Sequence, residues 1–306
     1  MKIITDIKNP VKINNPVITI GTFDGVHVGH RVILDEVVKR ALQKGTDSAV
    51  VTFNPHPRIV LGQQVSLLNT RSEKRTIIEN SGVSHLIEIP FTTQFADLEA
   101  EEFIKLLVDL IHPSEIIIGY DHGFGKNRSG DIKQLEESGK RYGFTVVNID
   151  TIELGTEKIS SSIIRNLLLK GDVKKASGLL GQYYEISGRV IRGNQIGKRI
   201  GYPTANLFIE DANKLIPSMG VYASLAELNG NTYRSMTNIG LRPTINAHQL
   251  TIETHILDFN ADIYYEKLTI KLIDRIRDEQ KFGSLDALIV QLKKDRETTI
   301  RILDSK

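Results

Sequence analysis

The stretch Gly21-Thr22-Phe23-Asp24-Gly25-Val26-His27-Val28-Gly29-His30 constrains this chain more than any other. It follows the apolar run Val17-Ile18-Thr19-Ile20, which predicts a buried strand. It leads into 31–44, where Ile33, Leu34, Val37, Val38, Ala41 and Leu42 recur at helical spacing until Gly45 ends the pattern. His27 and His30 therefore stand with glycines at a strand-to-helix turn. A helix start offers N–H groups without intrahelical partners and the positive end of the dipole, so it suits an anion. Gly29 lacks the side chain that would keep a phosphate off the backbone. Imidazoles three residues apart can stabilise charge growing on a pyrophosphate leaving group. Two other readings stand beside this one. The histidines could mark a plain surface turn, or ligate a metal, although no third ligand occurs at convincing spacing.

A chain of 306 residues exceeds one ordinary core and predicts two domains. Its formal net charge of +2 carries no nucleic-acid footprint. The absence of cysteine removes disulfides, thiolate metal sites and a thiol nucleophile, and fits a reducing compartment. Residues 1–15 lack the apolar run of a signal peptide, and no segment is long enough to cross a membrane, so the expected location is cytoplasmic.

In the first half, 48–53 predicts a second buried strand whose exit is Asn54-Pro55-His56-Pro57. The prolines make a rigid turn. Asn54 and His56 fall where ligands gather in parallel sheets, at a strand's carboxyl end, and the turn alone explains them equally well. Thr70-Arg71-Ser72-Glu73 reads as a capping box opening a helix. A strand at 85–90, a helix at 98–111 and a strand at 115–120 follow, and the alternation predicts a doubly wound parallel sheet. The loop 119–125 contains Asp121, His122 and Phe124 among glycines. It reads as a ligand loop with Phe124 covering a ring, or as a flexible surface loop. Ser160, Ser161 and Ser162 open a helix running to Lys170, with Arg165 one turn in. Capping explains one serine, and a phosphate clamp uses all of them with the arginine.

The pattern changes near Gly181-Gln182, which divides the chain into 1–182 and 183–306. Short β-like runs at 185–191, 221–227, 233–238, 251–257 and 268–272 predict a compact antiparallel barrel, closed by a helix at 284–303. Gly193, Gly197 and Gly201 with Lys198 and Arg199 form a plausible phosphate-cradling loop, or simply a glycine-rich hairpin. In Pro203-Thr204-Ala205-Asn206, a hydroxyl and an amide oxygen two residues apart can both reach a magnesium ion or a nucleotide phosphate. Glu253 on its own reads as a solvated strand residue.

These strings resemble the motifs of one family, in family order from Gly21 to Phe282. Gly21 to His30 is similar to the HxGH signature of nucleotidyltransferases. In its longer form, G-x-F-D-G-V-H-x-G-H, it resembles the FMN adenylyltransferase half of bacterial bifunctional FAD synthetases. The loop 119–125 resembles G-x-D-F-x-F-G, with His122 in place of an aromatic. Residues 159–165 resemble I-S-S-T-x-I-R, with Ser162 for threonine and Ile163 where a second arginine is frequent. Residues 201–206 resemble the riboflavin kinase signature G-[FY]-P-T-A-N, 238–244 resemble N-I-G-x-R-P-T, and 253–259 resemble E-x-H-x-L-D-F.

The resemblance implies a Rossmann-like nucleotidyltransferase domain followed by a riboflavin-kinase-type β-barrel with a closing helix. The barrel would phosphorylate riboflavin with ATP and Mg²⁺, and the first domain would transfer AMP from ATP to FMN, giving FAD and pyrophosphate. FMN and FAD then pass through as substrate and product, and the partners are small molecules rather than nucleic acid or membrane. For adenylyl transfer it implies ATP contacts from Gly21, Phe23, Asp24, His27, Gly29, His30, Asp121, Ser161, Ser162 and Arg165, and flavin contacts from Asn54, His56 and Phe124. His27, His30 and Arg165 stabilise charge there, and no general base is needed because FMN phosphate is itself the nucleophile. For the kinase it implies ATP contacts from Gly193, Gly197, Lys198, Gly201, Thr204 and Asn206, with Thr204 and Asn206 holding Mg²⁺. Asn238, Arg242, Arg275 and Phe282 would border the flavin, and Glu253 would be the general base for the riboflavin hydroxyl. His122 and Ile163 point to an alternative in which one activity is retained, and a flavin- or nucleotide-responsive binding module without turnover is the other.

Overall fold

A computed structural model describes every residue except 9, 11, 121, 122, 151, 152, 155, 156, 194, 195, 244–247 and 306, and leaves aside the side chains of 153, 154, 157, 158, 196, 242, 243, 248 and 249. The chain divides into two compact units, Met1–Ser160 and Ser161–Lys306.

In chain order the first unit contains β1 (Lys2–Ile4), β2 (Val17–Ile20), α1 (Val28–Lys44), β3 (Ser48–Asn54), α2 (Pro57–Val60), α3 (Arg71–Asn80), β4 (His85–Pro90), α4 (Thr93–Ala96), α5 (Ala100–Ile111), β5 (Glu115–Gly119), α6 (Ile132–Tyr142), β6 (Thr145–Ile149) and a short hairpin of β7 (Glu153–Leu154) and β8 (Glu157–Lys158). The main sheet has the order β1-β4-β3-β2-β5-β6, and every pair in it is parallel. It is the doubly wound sheet that the alternation predicts. Because both faces carry helices, the strands are apolar on both sides. Ile18, Val51 and Ile87 pack with Phe103, Ile104 and Leu107 of α5. Val50 and Leu86 point the other way, to Leu34 of α1 and Ile77 and Ile78 of α3. Strand order reverses at β2, which has β3 on one side and β5 on the other. Ligands of open α/β sheets bind outside the carboxyl ends of the strands at such a switch point, and the Gly21 to His30 turn leaves β2 there.

The second unit contains α7 (Ser161–Leu169), α8 (Val173–Leu180), β9 (Tyr184–Ile191), α9 (Ile196–Arg199), β10 (Ala205–Phe208), β11 (Gly220–Leu228), β12 (Asn231–Pro243), β13 (His248–Ile256), β14 (Lys267–Arg277) and α10 (Leu285–Asp304). Its six strands close into an antiparallel barrel of order β10-β13-β12-β11-β14-β9. On one face a row of buried hydroxyls is mutually satisfied: Ser224 bonds Ser235 and Thr237 at 2.8 Å, and Thr237 bonds Thr254 at 3.0 Å. Helix α10 packs on β11, β12 and β14.

The compact units divide at Ser160/Ser161, whereas the sequence pattern changes at 182/183. Helices α7 and α8 bury Ile164, Leu168, Val173, Ala176 and Leu180. Helix α8 packs on β14 and β9, so the pair belongs with the barrel unit. Strands β1, β6 and β10 and helices α6 and α8 extend the elements that the apolar pattern singled out. Among the described residues no helix is long and apolar enough to cross a membrane.

Candidate active sites

His27 is the N-cap of α1, and its Nδ1 accepts a hydrogen bond from the His30 backbone N–H at 3.3 Å. That bond leaves the ring proton on Nε2 in the neutral imidazole. The rings of His27 and His30 stack at 3.7 Å with 12° between planes, and Phe23 lies against His30 at 5.1 Å. Gly29 makes the stack fit, since a Cβ there would lie 3.2 Å from His27 Nδ1. Burial first, then the His27 and Lys74 charges, hold the His30 imidazole well below its usual pKa, so at neutral pH it is uncharged. His30 Nδ1 is buried without a hydrogen-bond partner among the described residues.

The turn that carries these histidines is strained. Phe23 and Val26 take φ of 49° and 39°, left-handed values costly for bulky and β-branched side chains. Burial of both side chains, at 2% and 0% exposure, offsets that cost. Phe23 and Asp24 therefore serve the turn itself. Phe23 backs His30, and the buried Asp24 carboxylate accepts the Leu68 N–H at 2.8 Å.

Other residues expected at this site fall differently. His56 caps α2, with its Nδ1 accepting the Arg58 N–H at 3.2 Å, which is the turn reading of that residue. Asn54 ends β3 and is half-buried. Phe124 is 7% exposed, packs on Phe103 at 5.9 Å and pairs with Gly130 in a β-bridge, so it is a core residue rather than an open ring cover. Beyond the carboxyl ends of β3 and β4 lies an aromatic group unmarked in the sequence reading. Phe53 meets Phe91 at 5.6 Å and Phe95 at 5.8 Å, all three half-buried. Asp121 and His122 lie outside the described residues. Ser161, Ser162 and Arg165 stand on the first turns of α7, in the second unit.

In the barrel unit, strand register builds the site. Asn206 of β10 is opposite Glu253 of β13, which is opposite Asn238 of β12, which is opposite Val221 of β11, which is opposite Arg277 of β14. Directly opposed residues share a face. A cavity of about 310 Å³ lies over this row and is lined by Thr204, Asn238, Glu253, His255 and Arg277, with Phe282 and the α10 residues Leu288, Leu292 and Asp295 completing it. Its size is that of a small-molecule pocket. The Thr204 hydroxyl lies 3.4 Å from Glu253 Oε2. Close backbone packing brings the loop here: a Cβ on Gly193 would fall 2.3 Å from the Asn206 amide nitrogen, and one on Gly197 2.2 Å from the Tyr202 carbonyl. Lys198 is exposed, and Gly201 takes φ of 83° with open space around it.

Two cavity residues escaped the sequence reading. His255 Nδ1 donates to the Pro203 carbonyl at 2.8 Å, tying β13 to the segment that carries Thr204, and burial lowers the pKa of its ring. Asp295, 1% exposed, pairs with Arg277 through contacts of 2.7 to 3.1 Å and accepts from Gln291 at 2.8 Å. Of the two arginines in this segment, Arg277 lines the cavity. Arg275 does not line the cavity; it bonds the Met219 carbonyl and pairs with Asp278 at 2.7 Å. Phe282 lines the cavity, with the Arg277 guanidinium 5.8 Å from its ring centre. The Arg242 side chain is not among those described.

Two such sites on a parallel sheet and a closed barrel match known proteins. A FAD synthetase family model matches residues 10–163, and a riboflavin kinase family model matches residues 180–303. A bifunctional riboflavin kinase/FMN adenylyltransferase of Listeria monocytogenes is 37% identical over 93% of this chain and 91% of its own length. One from Buchnera aphidicola is 38% identical over 97% of each chain. A crystal structure described as a macrolide-efflux protein from Streptococcus pneumoniae is 34% identical, covers 97% of both chains and superposes with a TM-score of 0.88. With both halves matched in order and similarity running nearly end to end, the chain belongs to the family of bifunctional riboflavin kinases/FMN adenylyltransferases.

Proposed function

We propose that this protein makes FAD in two steps, phosphorylating riboflavin with ATP and then transferring AMP from ATP to the resulting FMN with release of pyrophosphate. The carrying observation is the register row of Asn206, Glu253 and Asn238, the last two lining a small-molecule-sized cavity, in a chain that also bears the stacked His27 and His30 at a sheet switch point. The proposed division of labour is 1–182 for adenylyl transfer and 183–306 for the kinase, working in the cytoplasm on small molecules.

In the kinase, Glu253 takes the proton of the riboflavin 5′-hydroxyl as that oxygen attacks the γ-phosphorus of ATP. Asn238, Arg277 and Phe282 border the ring, and the Asp295 pair holds the Arg277 guanidinium toward it. The donor set fits Mg²⁺: a hydroxyl at Thr204 and an amide oxygen at Asn206 are hard ligands, and magnesium keeps most of its sites for water and phosphate. Mg²⁺ held there would neutralise phosphate charge. His255 holds the Pro203 carbonyl, and through it the Thr204 hydroxyl, in register with Glu253.

For adenylyl transfer, FMN phosphate is ionised near neutral pH and attacks the α-phosphorus unaided by a base. His27 and His30 meet the triphosphate as hydrogen-bonding groups, His30 uncharged at neutral pH, which suits a site where pyrophosphate must leave. Ser161, Ser162 and Arg165 are assigned to the triphosphate on the family motif. Phe53, Phe91 and Phe95 offer aromatic surface for the isoalloxazine ring beside Asn54.

The test is a chromatographic product assay with MgATP and either riboflavin or FMN. FAD from both substrates is expected. FMN accumulating without FAD would leave a kinase alone, FAD from FMN alone would leave an adenylyltransferase, and no product from either would favour a binding module.

A further inference from the structure

Lys74 of α3 is a half-buried cation to which the reaction described above gives no part. Its Nζ donates to the Thr22 carbonyl at 3.2 Å and to the Thr52 hydroxyl at 3.2 Å, and Thr52 in turn donates to the Thr22 carbonyl at 3.3 Å. Thr22 is the second residue after β2 and Thr52 lies near the end of β3, so the ammonium spans the carboxyl ends of two neighbouring strands at the switch point. The carbonyl it grips precedes Phe23, the left-handed residue whose ring backs His30. The rest of α3 is anchored elsewhere. Arg71 and Arg75 grip Glu88 of β4, and Thr70 with Glu73 forms the capping box that the sequence predicts. Lys74 is thus not needed to dock the helix.

We infer that Lys74 is a positioning residue for adenylyl transfer, holding the Thr22 carbonyl so that Phe23 and His30 keep their places and adding fixed positive charge beside His30. The inference rests on the adenylyl-transfer reading of this turn. The charge opposes protonation of His30, so the imidazole remains a neutral hydrogen-bonding group, and it raises the positive potential where a triphosphate would lie.

A purely structural role for this lysine is the weaker account. Burial of the ammonium brings its pKa down to about 8, against the pull of Glu88 on β4 and Asp24 in the β2–α1 turn, while Arg71 and Arg75 on its own helix push the same way as burial. A pKa depressed in the folded state means that the charged lysine opposes folding at neutral pH, and that stability rises with pH between about 8 and the usual 10.5. A cation held against its desolvation cost while gripping a strained turn beside the stacked histidines has the signature of a functional group.

Lys74→Met and Lys74→Arg in the full chain test this. Readouts are FMN adenylyl transfer against pH, riboflavin phosphorylation by the same samples, thermal unfolding, and the His30 ring titration followed by NMR. For Lys74→Met the expected results are a loss of adenylyl transfer on the order of a hundredfold, unchanged riboflavin phosphorylation, unfolding no earlier than wild type, and His30 titrating at higher pH. Wild-type adenylyl transfer should decline as pH passes about 8, where Lys74 loses its proton, and Lys74→Arg should retain partial activity and flatten that limb. Full adenylyl activity in Lys74→Met would overturn the inference. So would lost stability with His30 titration unchanged, and if Lys74→Met does not fold, an alkaline limb identical in Lys74→Arg and wild type would do the same. Wild type making no FAD from FMN would instead sink the underlying reading, with the His30 titration still reporting on Lys74.

Discussion

Glu253 carries the sharpest contrast between a residue seen alone and one seen in register. In isolation it is a half-buried glutamate on a strand. Between Asn206 and Asn238, with the Thr204 hydroxyl 3.4 Å from its carboxylate, it faces a cavity. Glu253→Gln preserves size and hydrogen bonding but removes the proposed base. Riboflavin phosphorylation should fall by roughly a hundred- to ten-thousandfold, while conversion of FMN to FAD is unchanged, both read by product chromatography. Equal loss of both activities would point to a folding role. The strings around His27, His30 and Glu253 were legible as local patterns. The choice between Arg275 and Arg277 was not. The β11–β14 pairing slips between Val221 and Tyr222 and again between Ala223 and Ser224, so Arg277 lands opposite Val221 on the cavity face. No count of residues along the strand reveals such a slip.

At the scale of elements, the capping box at Thr70 shows local chemistry deciding a helix start. The same helix then docks through charge. Arg71 and Arg75, four apart and so on one face, converge on Glu88 of β4, whose side chain is 1% exposed. Burial pushes the Glu88 carboxyl up, but hydrogen bonds from Arg75 and Arg71 and their charges prevail and bring its pKa down to about 2. The unfolded carboxyl binds its proton near the usual 4.5. The contribution to stability is therefore full above 4.5 and is lost as pH falls toward 2, and its size is roughly 2 kcal/mol once the exposure of both arginines is allowed for. Glu88→Gln should unfold earlier than wild type at pH 7, with the gap in melting temperature closing on acidification. A gap independent of pH would mean that the ion cluster adds nothing. The closing helix α10 follows the same logic at Asp295, which the sequence hides because a lone acidic residue in a charged helix reads as solvated.

For the whole molecule, the proposed function has FMN as the product of one reaction and the substrate of the other. This predicts complementation. Glu253→Gln should stall at riboflavin but convert FMN to FAD, His30→Asn should carry riboflavin only to FMN, and the two variants mixed should restore riboflavin to FAD. A mixture that still stops at FMN would mean that FMN does not pass through solution between chains.

What the sequence by itself determined is what repeats or pairs locally. Apolar alternation with helices set a parallel doubly wound sheet, short β runs set an antiparallel barrel, and the HxGH and PTAN strings marked the two family halves. What only the tertiary structure decided depends on contacts far apart in the chain. It closed the barrel, assigned α7 and α8 to the second unit, turned Phe124 inward against Phe103, and brought Lys74 to the Thr22 carbonyl across 52 positions. The physical reason is common to all of these. Periodicity reports which face of an element is buried, but the partner on the far side of that face is fixed by packing and strand register, which no local pattern encodes.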